Sequence, residues 1–182
     1  ISDSGIDGGL TTGAGDDTLD MIVGSRIGGS VALGDGKNII SLDASEIDGV
    51  LTTTGTGSDS LTLLAASRIR SDVGLGNGAN IISLDGASAI DGGLTTGTGN
   101  DMLTLDGASI IGGAINLGDG QNLLTLTDGT TASITTGIGD DTLDLVAGST
   151  GAIATRAGNA TINPAAVTIN GDVGTVLNAG ET

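Results

Sequence analysis

Short runs in which aliphatic and small polar residues alternate recur along the chain at a nearly constant spacing. When each unit is numbered from the first glycine of its G-x-G tripeptide, positions 7 and 9 are aliphatic and position 8 is small and polar. This period of two predicts a β-strand with one buried face. Successive tripeptides lie 21 residues apart, and the spacing falls to 19 at the last of them: they begin at Gly13, Gly34, Gly55, Gly76, Gly97, Gly118 and Gly137.

A second, weaker aliphatic run follows in each unit at positions 15 and 19, as at Ile69 and Val73. Glycine pairs such as Gly28-Gly29 mark bends, because glycine takes a positive φ without steric penalty. No unit shows a helical period of 3.6 residues. A unit this short cannot bury its aliphatic face alone, whereas stacked units can. The sequence therefore predicts an all-β fold, a single-chain parallel β-solenoid of about eight coils with about 21 residues per coil.

The repeats are predicted to extend over residues 1–155, and residues 156–182 are interpreted as a diverged final coil, a cap or a joining segment. The unit that starts at Gly34 slips locally, since Ile47 comes one place early. Ile1 falls in the middle of a unit. We read this start as a piece of a longer array or as the joining edge of subunits stacked end to end.

The composition removes several classes of chemistry. The 182 residues include 35 Gly and one Pro, but no Cys, His, Phe, Trp or Tyr. The hydrophobic share of 37% argues against a disordered chain. Without His or Cys there is no Ser-His-Asp triad, no cysteine nucleophile and no conventional zinc site. A slender interior lined by small aliphatic side chains accounts for the missing aromatic residues.

The net charge and the hydropathy limit the classes of partner that the chain is expected to bind. The formal net charge is −17, from 22 acidic against 5 basic residues, so no nucleic acid is expected to bind. No apolar run reaches the length that spans a bilayer, so no membrane insertion of this segment is expected. Parallel β-helices do host glycosidases that use paired carboxylates. Aromatic sugar platforms are missing here and basic residues are few, so the chain is predicted not to be an enzyme.

Position 5 alternates between aspartate and asparagine from unit to unit. Equivalent positions of stacked coils lie about 4.8 Å apart, where like charges repel. In one interpretation the asparagines donate to their aspartate neighbours in a metal-free ladder. In the other, each aspartate binds Ca²⁺ together with loop carbonyls and an asparagine oxygen. We favour the ladder, because Ca²⁺ takes six to eight oxygen ligands and half of the units have no carboxylate at position 5. The calcium candidates are Asp17, Asp59, Asp101 and Asp141, and the ladder residues between them are Asn38, Asn80 and Asn122.

Two positions that flank the strand core alternate in the same way. Position 6 is aliphatic in the units that carry asparagine, and position 10 shows roughly the reverse, with Ile22, Leu64 and Val146 in units that carry aspartate. If these side chains point outward, they are either ordinary exposed aliphatics or a lateral contact surface for another copy or partner. Both interpretations stay open from the sequence. The candidate contact residues are Ile39, Ile81 and Leu123 at position 6 and Ile22 and Leu64 at position 10.

The segments at residues 13–20 and 137–144, with the units at Gly55 and Gly97, resemble the calcium-binding nonapeptide of RTX proteins. That resemblance implies Ca²⁺ held between adjacent turns by carbonyls and aspartates. The motif departs from the family, because it occurs once per 21 residues rather than twice per 18-residue turn. Threonine also replaces its first glycine, at Thr12, Thr54, Thr96 and Thr136.

About residues 5–155 also resemble the β-helical passenger regions of bacterial surface proteins, including autotransporters. Such motifs specify architecture better than activity. The favoured prediction is an extracellular or cell-surface structural protein of a bacterium: a rod or filament subunit of a matrix, sheath or surface layer. Its partner is itself, end to end and laterally, and it requires no cofactor. The alternative is the rod-like spacer of an adhesin or autotransporter, with RTX-like calcium binding.

Overall fold

A computed structural model describes residues 1–175 of the chain. All regular elements within that range are β-strands. They wind into a parallel β-solenoid of about 8 turns, in which each coil lies on the previous one. The predicted fold is confirmed. None of the described residues forms a helix long and apolar enough to cross a membrane.

Each coil contributes strands to three faces. The first face, named the long sheet here, contains β3 (Thr18–Ile22), β6 (Ile39–Asp43), β9 (Ser60–Leu64), β12 (Ile81–Leu84), β15 (Met102–Leu105) and β17 (Leu123–Leu126). The second face contains β1 (Gly5–Ile6), β4 (Arg26–Ile27), β7 (Glu46–Ile47), β10 (Arg68–Ile69) and β13 (Ala89–Ile90). The third face contains β2 (Leu10–Thr11), β5 (Val31–Ala32), β8 (Leu51–Thr52), β11 (Val73–Gly74), β14 (Leu94–Thr95), β20 (Ile153–Thr155) and β22 (Val173–Thr175).

Four longer strands continue around a corner from one face to the next. Those shared by the second and third faces are β16 (Ser109–Asn116) and β18 (Gly129–Thr135). Those shared by the long sheet and the second face are β19 (Thr142–Thr150) and β21 (Thr161–Ile169). The later coils therefore turn these corners with continuous strand pairing.

The register stacks equivalent positions directly on each other. On the long sheet, Ile82 pairs with Leu61 on one side and with Leu103 on the other. The local slip in the sequence is absorbed on the second face, where Ile47 pairs with both Ile27 and Ile69. Equivalent inward positions therefore stack into columns, and on the long sheet the buried columns are aliphatic.

The core is a narrow aliphatic column inside the three faces. In the coil that begins at Gly97, four inward side chains are completely buried: Leu103, Leu105, Ile111 and Ile115. Complete burial of such a side chain stabilises the fold by about 1.5–3 kcal/mol. The preceding coils repeat this aliphatic set, whereas Thr131 and Thr150 take the place of Ile111 in the next two coils. Within the stack, each interior position packs against the coil above and the coil below.

The predicted bend at Gly28-Gly29 does not use a positive φ. Positive φ occurs instead at the corner after each long strand, at glycines such as Gly86 and Gly107 and also at the alanines Ala44, Ala66, Ala87 and Ala108. A backbone of this kind costs about 1–3 kcal/mol and needs compensation. The next residue supplies part of it: Ser67 is fully buried and its hydroxyl donates to the Leu64 carbonyl at 2.6 Å. Buried serines occupy the same corner at Ser25, Ser45, Ser88 and Ser109.

The segment after residue 155 continues the stack as far as it is described. Strand β21 pairs in parallel with β19, and β22 pairs with β20. Pro164 lies within β21 opposite Leu145. It is on the last strand of the long sheet among the described residues, where the loss of a ladder donor costs least. The part of the interpreted segment at residues 176–182 lies outside the described residues.

Candidate functional site: the Asp/Asn column

The alternating position 5 residues line one corner of the solenoid, where the G-x-G turn enters the long sheet. We name this set the Asp/Asn column. Its side chains point into the rod, and within the stack they are almost completely buried. The exposed fraction is 0% for Asn38 and Asn80, 1% for Asp59, Asp101 and Asp141, and 2% for Asn122. Asp17, at one end of the column, is half-buried.

A continuous hydrogen-bond ladder runs along the column. The backbone N–H of Asn80 donates to Oδ1 of Asp101 at 2.8 Å, and the backbone N–H of Asp101 donates to Oδ1 of Asn122 at 3.0 Å. The Asn80 Nδ2 donates to the same Asp101 Oδ1 at 2.9 Å. The pairs Asn38–Asp59 and Asn122–Asp141 repeat this arrangement. Each side chain thus joins its own coil to the preceding one.

The asparagines also close their own turns. Nδ2 of Asn80 donates to the carbonyls of Gly76 at 3.2 Å and of Gly78 at 3.1 Å. Asn38 and Asn122 make the equivalent bonds. One amide group therefore satisfies turn carbonyls within a coil and an acceptor in the next coil.

The aspartates cannot do the same, because a carboxylate has no donor. Their Oδ1 atoms occupy the ladder, so Oδ2 takes the place that Nδ2 has in an asparagine. Among the described residues, Oδ2 of all four is buried without a hydrogen-bond partner: Asp17, Asp59, Asp101 and Asp141. A buried polar atom of this kind costs about 1–3 kcal/mol, so the aspartate coils pay a penalty that the asparagine coils avoid.

A second alternation accompanies the first. The last inward residue before the turn is threonine in aspartate coils and leucine in asparagine coils. Thr96 precedes Asp101 and is 3% exposed, whereas Leu75 precedes Asn80 and is 2% exposed. The corresponding residues are Thr12, Thr53 and Thr136 in the other aspartate coils, and Leu33 and Leu117 in the other asparagine coils. Every aspartate coil therefore carries a threonine just before its turn, where an asparagine coil carries a leucine.

These surroundings act on the acidity of Asp101. Burial raises the pKa of Asp101 above its usual value of 3.8, and the backbone of Asn80, the Thr96 hydroxyl and the Asn80 side chain lower it to a smaller extent. The Thr96 hydroxyl lies beside the carboxyl, yet neither Thr96 Oγ1 nor Asp101 Oδ2 completes a hydrogen bond of ordinary geometry. The net direction is upward, because desolvation disfavours the charged form.

The column brings the four calcium candidates into one line, not into one cluster. An asparagine separates each aspartate from the next. Within residues 1–175, no three His, Cys, Asp or Glu side chains come close enough together to hold one metal ion. Calcium binding at Asp17, Asp59, Asp101 and Asp141 stays a prediction, with the unpartnered Oδ2 atoms as the available ligands.

The candidate lateral contact residues lie on the outer side of the long sheet. Exposed fractions are 45% for Ile39, 53% for Ile81, 40% for Ile22 and 37% for Leu64, and Leu123 is half-buried. Position 6 forms the first outer column of this sheet, position 8 the middle outer column and position 10 the third outer column. Two further exposed apolar side chains belong to the same surface, Met102 in the first column and Val146 in the third.

Three of the basic residues lie together on or beside the second face, where they pair with acids. Arg68 is 2.8 Å from Asp91, Arg26 pairs with Asp48, and Arg70 pairs with Glu46. The arginine side chains are about half exposed, and exposed ion pairs contribute about 0–1 kcal/mol each. We interpret these arginines as offsetting part of the acidic surface charge, not as a binding site.

Sequence reasoning missed the serine corners and the threonine that accompanies each aspartate. The signal for the threonines was present, since Thr and Leu alternate just before the G-x-G turn in phase with Asp and Asn. A scan against protein-family models found no match, and neither did a search of the curated proteins or a search of the solved structures.

Proposed function

We propose that the chain is an extracellular structural protein of a bacterium, a β-solenoid rod that associates with itself in a matrix, sheath or surface layer. The observation that carries this proposal is the row of exposed aliphatic side chains along the outer side of the long sheet. Ordered apolar patches on a protein surface mark interaction sites. On a rod of repeated coils such a patch extends along the axis, so another rod can lie against it over many coils.

The interior supports the same role. Main-chain ladders on three faces and the Asp/Asn column join each coil to its neighbours. Stability in such a stack is approximately a sum over neighbouring coils. A subunit of this type serves as a stiff element whose length follows from the number of coils. We retain the prediction that it is not an enzyme and requires no cofactor.

Electron microscopy of the protein with and without a calcium chelator tests the proposal. Long uniform filaments or lateral arrays that survive chelation are the expected result. Separate short rods at every protein concentration would overturn self-assembly. That outcome would favour the alternative, a rod-like spacer of an adhesin or autotransporter.

One observation favours a second candidate function, an RTX-like calcium-binding rod. The four unpartnered Oδ2 atoms are buried acceptors without donors, and Ca²⁺ prefers oxygen ligands. Calorimetric titration with Ca²⁺ tests this candidate, because the chain has no aromatic residue for fluorescence. Calcium binding that is reduced in Asp59→Asn and Asp101→Asn, and is unchanged in the exposed control Asp128→Asn, would support it. No measurable binding would reject it.

A further inference from the structure

The outer side of the long sheet has a pattern that is complementary to itself. Over the first four coils, apolar and polar residues alternate in both flanking columns, and the two columns are out of phase. The first outer column reads Thr18, Ile39, Ser60 and Ile81, and the third reads Ile22, Asp43, Leu64 and Asp85. Apolar and polar positions therefore form a checkerboard with a period of two coils.

We propose that two copies of the chain pack through their long sheets as parallel rods displaced by one coil. This inference rests on the proposed self-association and specifies the geometry of the contact. A half-turn about the rod axis places the first outer column of each copy against the third outer column of the other. The displacement then decides which residues face each other.

With a displacement of one coil, apolar residues of one copy face apolar residues of the other. Ile39 faces Leu64 on one side of the contact and Ile22 on the other. Ser60 faces Asp43 and Asp85, so a hydroxyl can donate to each carboxylate in a charge-assisted hydrogen bond. The exposed aliphatic side chains lose water together, and the acids keep a donor.

Other arrangements are penalised. Parallel rods without displacement place Asp43 against Ile39 and Asp85 against Ile81, which removes water from carboxylates without replacing it. Antiparallel rods place each column against itself. When all seven coils overlap, Asp85 then faces the Asp85 of the other copy and Leu64 faces Asp106. The displaced parallel arrangement avoids both penalties over these four coils.

The middle outer column permits a close approach. Its central residues are half-buried and small, namely Ser41, Thr62, Ser83, Thr104 and Thr125. The acids of this column are at its ends, Asp20 and Asp144. After displacement by one coil, Asp20 faces Ser41 and Asp144 faces Thr125. No acid of the middle column then faces its own copy.

The fifth coil interrupts the pattern. Asp106 occupies the third outer column there and would face Ile81 and Leu123 in the displaced pair, and Met102 in the first outer column would face Asp85. The match resumes between Leu123 and Val146. Seven strands spaced about 4.8 Å apart and about 16 Å long present about 500 Å² per copy, below the roughly 800 Å² per partner of a standard interface. A single pair is therefore weak, and the contact gains strength when several act together along a filament.

Disulfide trapping tests the geometry, because the chain has no cysteine of its own. Single variants Thr62→Cys and Ser83→Cys, both in the middle outer column, are mixed at assembling concentration under mild oxidation. The displaced parallel pair predicts that the mixed 62–83 disulfide exceeds the 62–62 disulfide. A predominant 62–62 disulfide would indicate rods without displacement and overturn the proposal.

Three further outcomes distinguish a wrong geometry from a failure of self-assembly. A predominant disulfide between Ser41→Cys and Thr125→Cys would indicate antiparallel rods and overturn the proposed geometry. Filaments in the microscope without any of these disulfides would reject this contact while leaving self-assembly intact. Separate rods without filaments or disulfides would reject the contact together with the proposed function.

A pair of substitutions provides an independent readout. Asp106→Leu completes the checkerboard match with Ile81 and Leu123, so the protein concentration at which assembly begins should fall several-fold. Leu64→Asp breaks it and should raise that concentration. Both residues lie on the outer side, so far-UV circular dichroism of the dilute protein should be unchanged. Equal effects of the two variants on assembly would contradict the proposed pairing.

Discussion

The asparagine coils and the aspartate coils share one backbone course, and inside the rod they differ at a single corner. In the asparagine coil, Nδ2 of Asn80 donates to two turn carbonyls and to Asp101 of the next coil. In the aspartate coil, Oδ2 of Asp101 is buried without a partner, and Thr96 replaces the leucine found at that place in the asparagine coil. Only the asparagine coils carry a side-chain donor at this corner, yet both types are held in the same register because backbone N–H groups of both donate to the side-chain oxygen of the next coil.

The difference teaches that the unit of this rod is a pair of coils. A column of asparagine alone would satisfy the same carbonyls without burying a charge. A column of aspartate alone would place carboxylates about 4.8 Å apart without donors. The alternation places Asp59 and Asp101 each between two asparagines, and Asp101 also has the Thr96 hydroxyl beside it.

The largest effect is expected where both coil types depend on the same core. Leu103 is fully buried between Ile82 and Leu124. Leu103→Asp would bury an unpaired charge there and should destabilise the rod by more than about 4 kcal/mol. Calorimetry should show loss of the unfolding transition or a large fall in Tm. Thr104→Asp, next to it on the outer side, is the control, and an equal loss in both variants would contradict the interior assignment of position 7.

The next largest loss of stability is expected when an asparagine coil is given an aspartate at position 5. Asn80→Asp would stack three carboxylates at positions 59, 80 and 101 and leave the Gly76 and Gly78 carbonyls without their donor. The expected loss is about 3–5 kcal/mol. The matched control is Asn77→Asp in the exposed turn of the same coil. Its side chain accepts from Thr98, as an aspartate also can, so its Tm should stay close to that of the natural protein.

The fold was predictable from sequence, because its signal is repeated in every coil. The period of 21 residues and the alternation at positions 7 to 9 are sufficient for a parallel solenoid. The chemistry of the corner was predictable only in part. The alternation of Asp101 with Asn80 suggested a ladder, but which carboxyl oxygen is left unpartnered depends on the direction of the hydrogen bonds. The alanines with positive φ before Ser67 and Ser88 carry no such sequence signal, since alanine is ordinary in strands and bends alike.

A smaller effect is expected from converting an aspartate coil into an asparagine coil. The double variant Asp101→Asn with Thr96→Leu reproduces the corner found at Asn80 and Leu75. Its free energy of unfolding should lie within about 1 kcal/mol of that of the natural protein, because a well-packed neutral pair can replace a buried charge without loss. Its Tm should be equal or higher.

The single variants show whether the two positions act together. Residues in contact give non-additive changes in stability, with coupling of about 0.5–3 kcal/mol. Thr96→Leu alone should be the least stable of the set, because it leaves the Asp101 carboxyl without a neighbouring hydroxyl. Strictly additive changes would mean that the paired alternation of Thr with Asp has no energetic basis.

The smallest expected effect is a change of stability with pH that belongs to Asp101. Burial raises the pKa of this carboxyl in the folded chain above its usual value of 3.8. Below pH 3.8 the group is neutral in both states and costs nothing. As the pH rises further, the unfolded chain releases the proton first, so stability falls until the pH passes the raised pKa and then stays level.

Asp101→Asn removes this contribution, so its advantage in Tm over the natural protein should grow through that window. The matched control is Asp128→Asn, which removes one negative charge at an exposed site. A Tm advantage of Asp101→Asn that is the same at every pH would show that the carboxyl keeps its usual pKa, and the asymmetry between the two coil types would then be one of hydrogen bonding alone.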